Sequence, residues 1–394
     1  MKTGGIVAEY NPFHNGHAYQ IAKVREAGFT HIAAVMSGNF VQRGEAAIAG
    51  KFARARMAVQ GGVDLVLELP LPYCAATAQK FAWGGVRILH GLGCADALAF
   101  GCENDDTQAL LTLAEFLSGG KADSAIQSAL ESGVTYAAAR QAAVEHTIGK
   151  EYSELLNKPN NILSVEYLQA LVRLKSPIKP LPILRKGCGH DSQSASGNFA
   201  SASLLRTRIQ EGEWDKIKPY VPESVYGELR ELARKGMLTA GFGRCDRAVL
   251  SRLRTMTLED FRQLPDISEG LEHRIFQKVK EAVSVEDLIA SVKTKRYTHA
   301  RLRRIVLCAF LGITAADFHP LTAARVLAMN SKGAEIIKQA SGITLFASAH
   351  EAQGLDSSAQ AILRLEDKAF DLFGLCTPAI QPCGKNRTHK TEII

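Results

Sequence analysis

The chain has 394 residues, 46% hydrophobic and 22% charged, with a formal net charge of +7. That composition argues against a disordered or fibrous chain and provides core enough for two domains. No run of 18 apolar residues occurs, and the eight cysteines are scattered without a CxxC pair, which argues against a spanning helix and a structural zinc site and suits a reducing cytoplasm.

Gly5–Ala8 reads as a short buried strand that starts at once, with no leader segment expected before it. A tight turn with the sequence His14-Asn-Gly16-His17 follows, and then a helical run over Ala18–Ala27. Further strands are expected at His31–Met36, Leu65–Leu69 and Ala97–Phe100, with helices at Lys51–Gln60 and Ala76–His90 between them. Short apolar strands alternating with helices predict a doubly wound parallel sheet. Its ligand crevice should lie at the carboxyl ends of the strands. Helices are expected over 107–147 and at Ile162–Leu174, a strand over Pro177–Arg185, a polar loop over 186–198, and a helix opening at Ser201. After about residue 212 the strand signals fade. Amphipathic segments, including 298–310 and 321–329, predict a helical second domain, so the expected division is 1–215 and 216–394. The polar, basic tail from Pro382 is expected to be disordered.

Two imidazoles in a turn between a strand and a helix start form a phosphate-handling pattern. A helix N-terminus presents free N–H groups, Gly16 admits a close approach, and imidazole N–H groups can stabilise charge on a phosphate. In Ser201-Ala-Ser203-Leu-Leu-Arg206, hydroxyls at a helix start cap it and can donate to phosphate, and Arg206 adds a charge-assisted donor for a leaving pyrophosphate. The loop from Ser37 to Lys51 offers Arg43 and Lys51 for a carboxylate or phosphate. In the stretch 293–304, six of twelve residues are basic: Lys293, Lys295, Arg296, Arg301, Arg303 and Arg304. Tyr297 lies among them, a composition that suits RNA phosphates and base stacking. No P-loop, GxGxxG after a strand, GxSxG or HExxH is present.

The strand–HxGH–helix unit with a later SxSxxR resembles the HIGH-type nucleotidylyltransferase superfamily. More closely, Gly5–His17, Val35–Glu45, Asp64–Pro70, Phe100–Asn104, Lys158–Leu163, Ala200–Arg206 and Lys295–Thr298 are similar to the tRNA(Met) cytidine acetate ligase family. The resemblance implies a Rossmann-like α/β fold of the nucleotidylyltransferase type, followed by a mostly α-helical domain that binds tRNA. It implies acetyl-adenylate formation from ATP and acetate, with Mg²⁺ accompanying the ATP. Acetyl transfer to the wobble cytidine of elongator tRNA(Met) would follow. It further implies ATP binding by Val7, Ala8, Glu9, Tyr10, Asn11, Pro12, Phe13, His14, Asn15, Gly16, His17, Gln20, Gly101, Arg185, and Asn160 or its neighbour Asn161. His14, His17, Ser203 and Arg206 would act in catalysis. Two alternatives stay open: a nucleotidylyltransferase acting on a small phosphorylated metabolite, and a non-catalytic RNA-binding protein.

Overall fold

A computed structural model describes the chain except residues 104–105, 132–133, 186–194, 240, 269 and 295 and the side chain of Pro159. The first half alternates strand and helix: β1 (Thr3–Ala8), α1 (Asn15–Glu26), β2 (His31–Ser37), α2 (Lys51–Gln60), β3 (Leu65–Leu69), α3 (Ala78–Leu92) and β4 (Ala97–Cys102). Four helices between Thr107 and Leu155 precede α4 (Pro159–Arg173), β5 (Lys179–Leu184) and α5 (Ala202–Gln210). β1 pairs in parallel with β2 on one side and β4 on the other, Ile6 facing both Ala34 and Ala99. β2 continues in parallel to β3, and β4 to β5. The strand order therefore reverses at β1, so a crevice opens beyond its carboxyl end.

The glycines of β1 set how closely helices pack on it. A methyl group on Gly4 would meet Val24 of α1 at 2.6 Å, and one on Gly5 would meet Leu89 of α3 at 2.8 Å. Both lie far inside van der Waals contact, so α1 and α3 sit directly on the strand that carries the turn.

Between Glu223 and Val292 the described residues form five helices, and α6 (His299–Leu311) follows. The chain then returns to the sheet, which corrects the expected helical unit running from 216 to the C-terminus. β6 (Ala323–Met329) pairs antiparallel with β3, β7 (Thr344–Phe346) pairs with β6, α7 (Ser357–Phe373) packs alongside, and β8 (Glu392–Ile393) adds to β6. The segment 321–329, expected as helix, is thus a strand. Seven residues, six of them apolar, are too few for periodicity to separate a helix from a buried strand, and pairing with β3 decides the matter. The tail is likewise ordered. Asn386 accepts from the buried Arg325 at 2.9 Å, and Glu392 pairs with Arg56 at 3.0 Å. No helix of the described residues is long and apolar enough to cross a membrane.

A buried charge cluster fastens this return. The Lys51 ammonium at the start of α2 is fully buried and reaches Glu68 of β3 at 2.5 Å and Glu366 of α7 at 3.1 Å. Glu366 also accepts the Leu71 N–H at 2.6 Å. Burial, and then the charge of Glu366, push the Glu68 carboxyl up to about 8. Lys51→Met would leave two buried carboxyls without their ammonium. Chemical denaturation should show a loss of about 3–5 kcal/mol, part of which returns when Glu366→Gln is added.

Candidate active site

The turn between β1 and α1 is built by reciprocal capping. His14 is the N-cap of α1. Its Nδ1 accepts the Gly16 N–H at 3.0 Å, while the His17 Nδ1 accepts the His14 N–H at 3.2 Å. These two bonds stack the imidazoles with centroids 3.8 Å apart. With both Nδ1 atoms accepting, each ring carries its proton on Nε2 and has an N–H donor there. Burial, followed by the neighbouring charges of His14 and Arg185, holds the His17 imidazole well below its usual 6.5. Gly16 lines the cavity and also makes room for the His14 ring, which a methyl group there would approach to 2.8 Å.

The turn opens on a cavity of about 430 Å³, within the range of ligand sites. Val7, Ala8, Glu9, Tyr10, Asn11, His14, Gly16, His17, Gln20, Gly101, Asn160, Arg185, Ser203 and Arg206 all line it. Pro12, Phe13 and Asn15 are not in that lining. Phe13 is buried against Tyr10 and His17, and Asn15 donates away from the cavity to the Asn198 and Pro219 carbonyls.

Arg185 and Arg206 are each held by residues from other parts of the chain. Arg185, following β5, donates to the Asn160 Oδ1 at 2.7 Å, and Asn160 in turn donates to Glu103. Burial lowers the Arg185 guanidinium from its ordinary value, which Glu103 partly offsets. Asn161 instead accepts the Glu103 N–H at 3.0 Å and is fully buried, so of the two asparagines Asn160 is the one on the cavity. Ser201 caps α5 by accepting the Leu204 N–H at 3.1 Å. One turn on, Arg206 donates to the Asn11 carbonyl at 2.9 Å and pairs with Glu45 at 3.7 Å. Tyr10 is held at φ +46, and its buried hydroxyl has no hydrogen-bond partner among the described residues.

Lys51 does not belong to this set. Its ammonium is consumed by Glu68 and Glu366, whereas Arg43 of the same loop does line the cavity. The apolar wall formed by Phe81, Phe100 and Tyr167 was not expected as part of a site and comes together only when α3, β4 and α4 pack.

The basic stretch is also reorganised by folding. Tyr297 is buried in the core rather than offered for stacking. Arg301 donates to the Asp266 carbonyl at 2.8 Å and the Ser268 hydroxyl at 2.7 Å, and Arg304 pairs with the Asp266 carboxylate at 3.3 Å. Arg303 pairs with Glu286 at 2.7 Å and with Glu45 at 3.6 Å. Lys293 and Arg296 are exposed, and Lys295 lies outside the described residues.

The His17 environment has a measurable consequence. Its folded pKa lies below the unfolded value, so the unfolded chain binds the proton more readily in that interval and His17's contribution to stability falls as pH drops below 6.5. In an NMR titration the His17 ring should remain neutral as the pH passes down through 6.5, where a solvated imidazole titrates.

The model of the HIGH Nucleotidyl Transferase family matches residues 1–388. Among curated relatives, the tRNA(Met) cytidine acetate ligase of Acetivibrio thermocellus is 36% identical over all of both chains, and that of Caldanaerobacter subterraneus subsp. tengcongensis is 38% identical over 86% of each. The crystal structure of apo Thermotoga maritima TmcAL superposes with a TM-score of 0.95 at 29% identity over the full length of both chains. The same protein bound with alpha-thio ATP superposes with a TM-score of 0.93. The chain therefore belongs to the tRNA(Met) cytidine acetate ligases, within the HIGH nucleotidyl transferase family.

Proposed function

We propose that the protein is a cytoplasmic, ATP-dependent acetate ligase that acetylates the exocyclic amine of the wobble cytidine in elongator tRNA(Met). The observation that carries the activation step is the pair of stacked imidazoles, both presenting Nε2–H donors, on one cavity with Ser203, Arg206 and Arg185. ATP lies in this cavity with its α-phosphate at the imidazoles. An acetate oxygen attacks the α-phosphorus, and pyrophosphate leaves toward Ser203 and Arg206. Such an in-line displacement needs positioning and charge neutralisation more than covalent help. Neutral His17 keeps an N–H donor on Nε2 for this role while its Nδ1 accepts the His14 N–H. Mg²⁺ arrives with the nucleotide and is coordinated mainly by phosphates and water. Acetate is a poor acyl donor, and adenylation gives it a leaving group. The family membership and the names of the relatives support acetate and tRNA(Met) as the substrates.

Acetate-dependent ATP–pyrophosphate exchange, and label from radioactive acetate in tRNA, are the expected activities. Exchange independent of acetate, with no label in any RNA, would instead indicate a nucleotidylyltransferase for another substrate. His17→Ala removes one donor to the developing charge and should lower exchange by about 100-fold or more.

Of the basic stretch, the exposed Lys293 and Arg296 are proposed to meet tRNA phosphates. Lys293→Glu with Arg296→Glu should weaken tRNA transfer far more than exchange. It should also reduce the salt dependence of tRNA binding by about one unit of log–log slope per lost contact. An unchanged slope would make both residues part of a solvated face.

A further inference from the structure

The second step needs a proton acceptor. The lone pair of a cytosine exocyclic amine is delocalised into the ring, so the nitrogen becomes an effective nucleophile only as it loses a proton. The stacked histidines are poorly placed to take it, since each Nδ1 already accepts a backbone N–H. The Tyr10 and Tyr167 phenols on the cavity have their pKa values raised by burial and stay protonated. Among the described residues lining the cavity, Glu9 is the one carboxylate.

Glu9 is held in a defined pose. It follows β1 directly, and its backbone carbonyl accepts from Arg54 at 2.5 Å. Its Oε1 accepts the Gln42 N–H at 2.9 Å, and among the described residues Oε2 makes no hydrogen bond. Arg54 of α2, Arg206 of α5, Arg43 and Glu45 of the loop after β2, Tyr167 of α4 and Cys74 beyond β3 are the charged and titratable groups that face it.

We infer that Glu9 is the general base of acetyl transfer, its Oε2 accepting the proton of the attacking exocyclic amine. The inference rests on the functional reading above. In this step the amine nitrogen bonds to the acetyl carbon, and the bond from that carbon to the adenylate oxygen breaks. AMP leaves with the electron pair, and the amine proton ends on Glu9. Burial raises the Glu9 carboxyl above its usual 4.5, against the Gln42 N–H and the charges of Arg206 and Arg43. A raised value makes the carboxylate a better proton acceptor and places the limb where transfer gains rate with rising pH above 4.5.

The test compares the two steps in wild type, Glu9→Gln and Glu9→Asp. Acetate-dependent ATP–pyrophosphate exchange reports activation, and single-turnover transfer of labelled acetyl from enzyme-held adenylate to tRNA reports the second step, each followed against pH. Glu9→Gln should lose about 100-fold or more in transfer and lack the acid limb, with a loss in exchange at least tenfold smaller. Glu9→Asp, which keeps a carboxylate one methylene back, should retain the limb with slower transfer. It decides the matter should the glutamine variant fail to fold. Equal losses in both steps for the folded variants, or transfer by Glu9→Gln with its acid limb intact, would overturn the assignment. Wild-type enzyme that exchanges pyrophosphate but never labels tRNA would overturn the functional reading itself, and this inference with it.

Discussion

Two backbone N–H groups, those of His14 and Gly16, determine what this site can do. Each is an orphan donor at the start of α1, and each is satisfied by an imidazole Nδ1. The same bonds that cap the helix therefore select the tautomer of both rings and stack them. A ring free to flip would present a donor or an acceptor indifferently, whereas these present donors. The absence of a side chain at Gly16 is part of the arrangement, because any Cβ there would displace the His14 ring. The orientation of the two rings at the cavity is thus an outcome of local capping, with the sheet supplying only its place.

The cavity walls are held from both ends of the chain. The loop after β2 carries Gln42 and Arg43 to the cavity and lies between the first sheet strands and the later helices. Gly44, at φ +79, packs so closely on α6 that a methyl group would overlap the backbone of Arg303 and Arg304. Beside it, Glu45 reaches Arg206 with one oxygen and Arg303 with the other. On the opposite side Phe40 meets Phe373 at the end of α7 with ring centroids 6.0 Å apart. The helical region is therefore linked to Arg206 on the cavity through Glu45.

Much of this was legible in the residues. The four apolar runs of the first hundred residues became β1 to β4 at nearly their expected limits, because strands buried on both faces leave little ambiguity once helices intervene. That His14, His17, Ser203 and Arg206 would meet at one place was readable, since their motifs fall at the turn and the helix start that the elements impose, and all four line one cavity. The ion pairs within the basic stretch were not legible, because charge in a sequence says nothing of its neutralisation. Asp266, Glu286 and Glu45, which engage Arg304 and Arg303, come from other segments. Lys51 misled for the same reason, as its partner Glu366 is distant in the chain. The walls supplied by Phe81, Phe100 and Tyr167 look like ordinary core residues until three elements meet.

The return of the chain to its first sheet bears on how the protein can be divided. A fragment ending near residue 215 would keep the histidine turn, Ser203 and Arg206. It would lose β6, and β3 would become an open edge of unpaired backbone groups. It would also lose Glu366, one of the two carboxylates that hold the buried Lys51. A cut where the helices begin therefore passes through one sheet and one buried charge cluster, and neither piece keeps both whole.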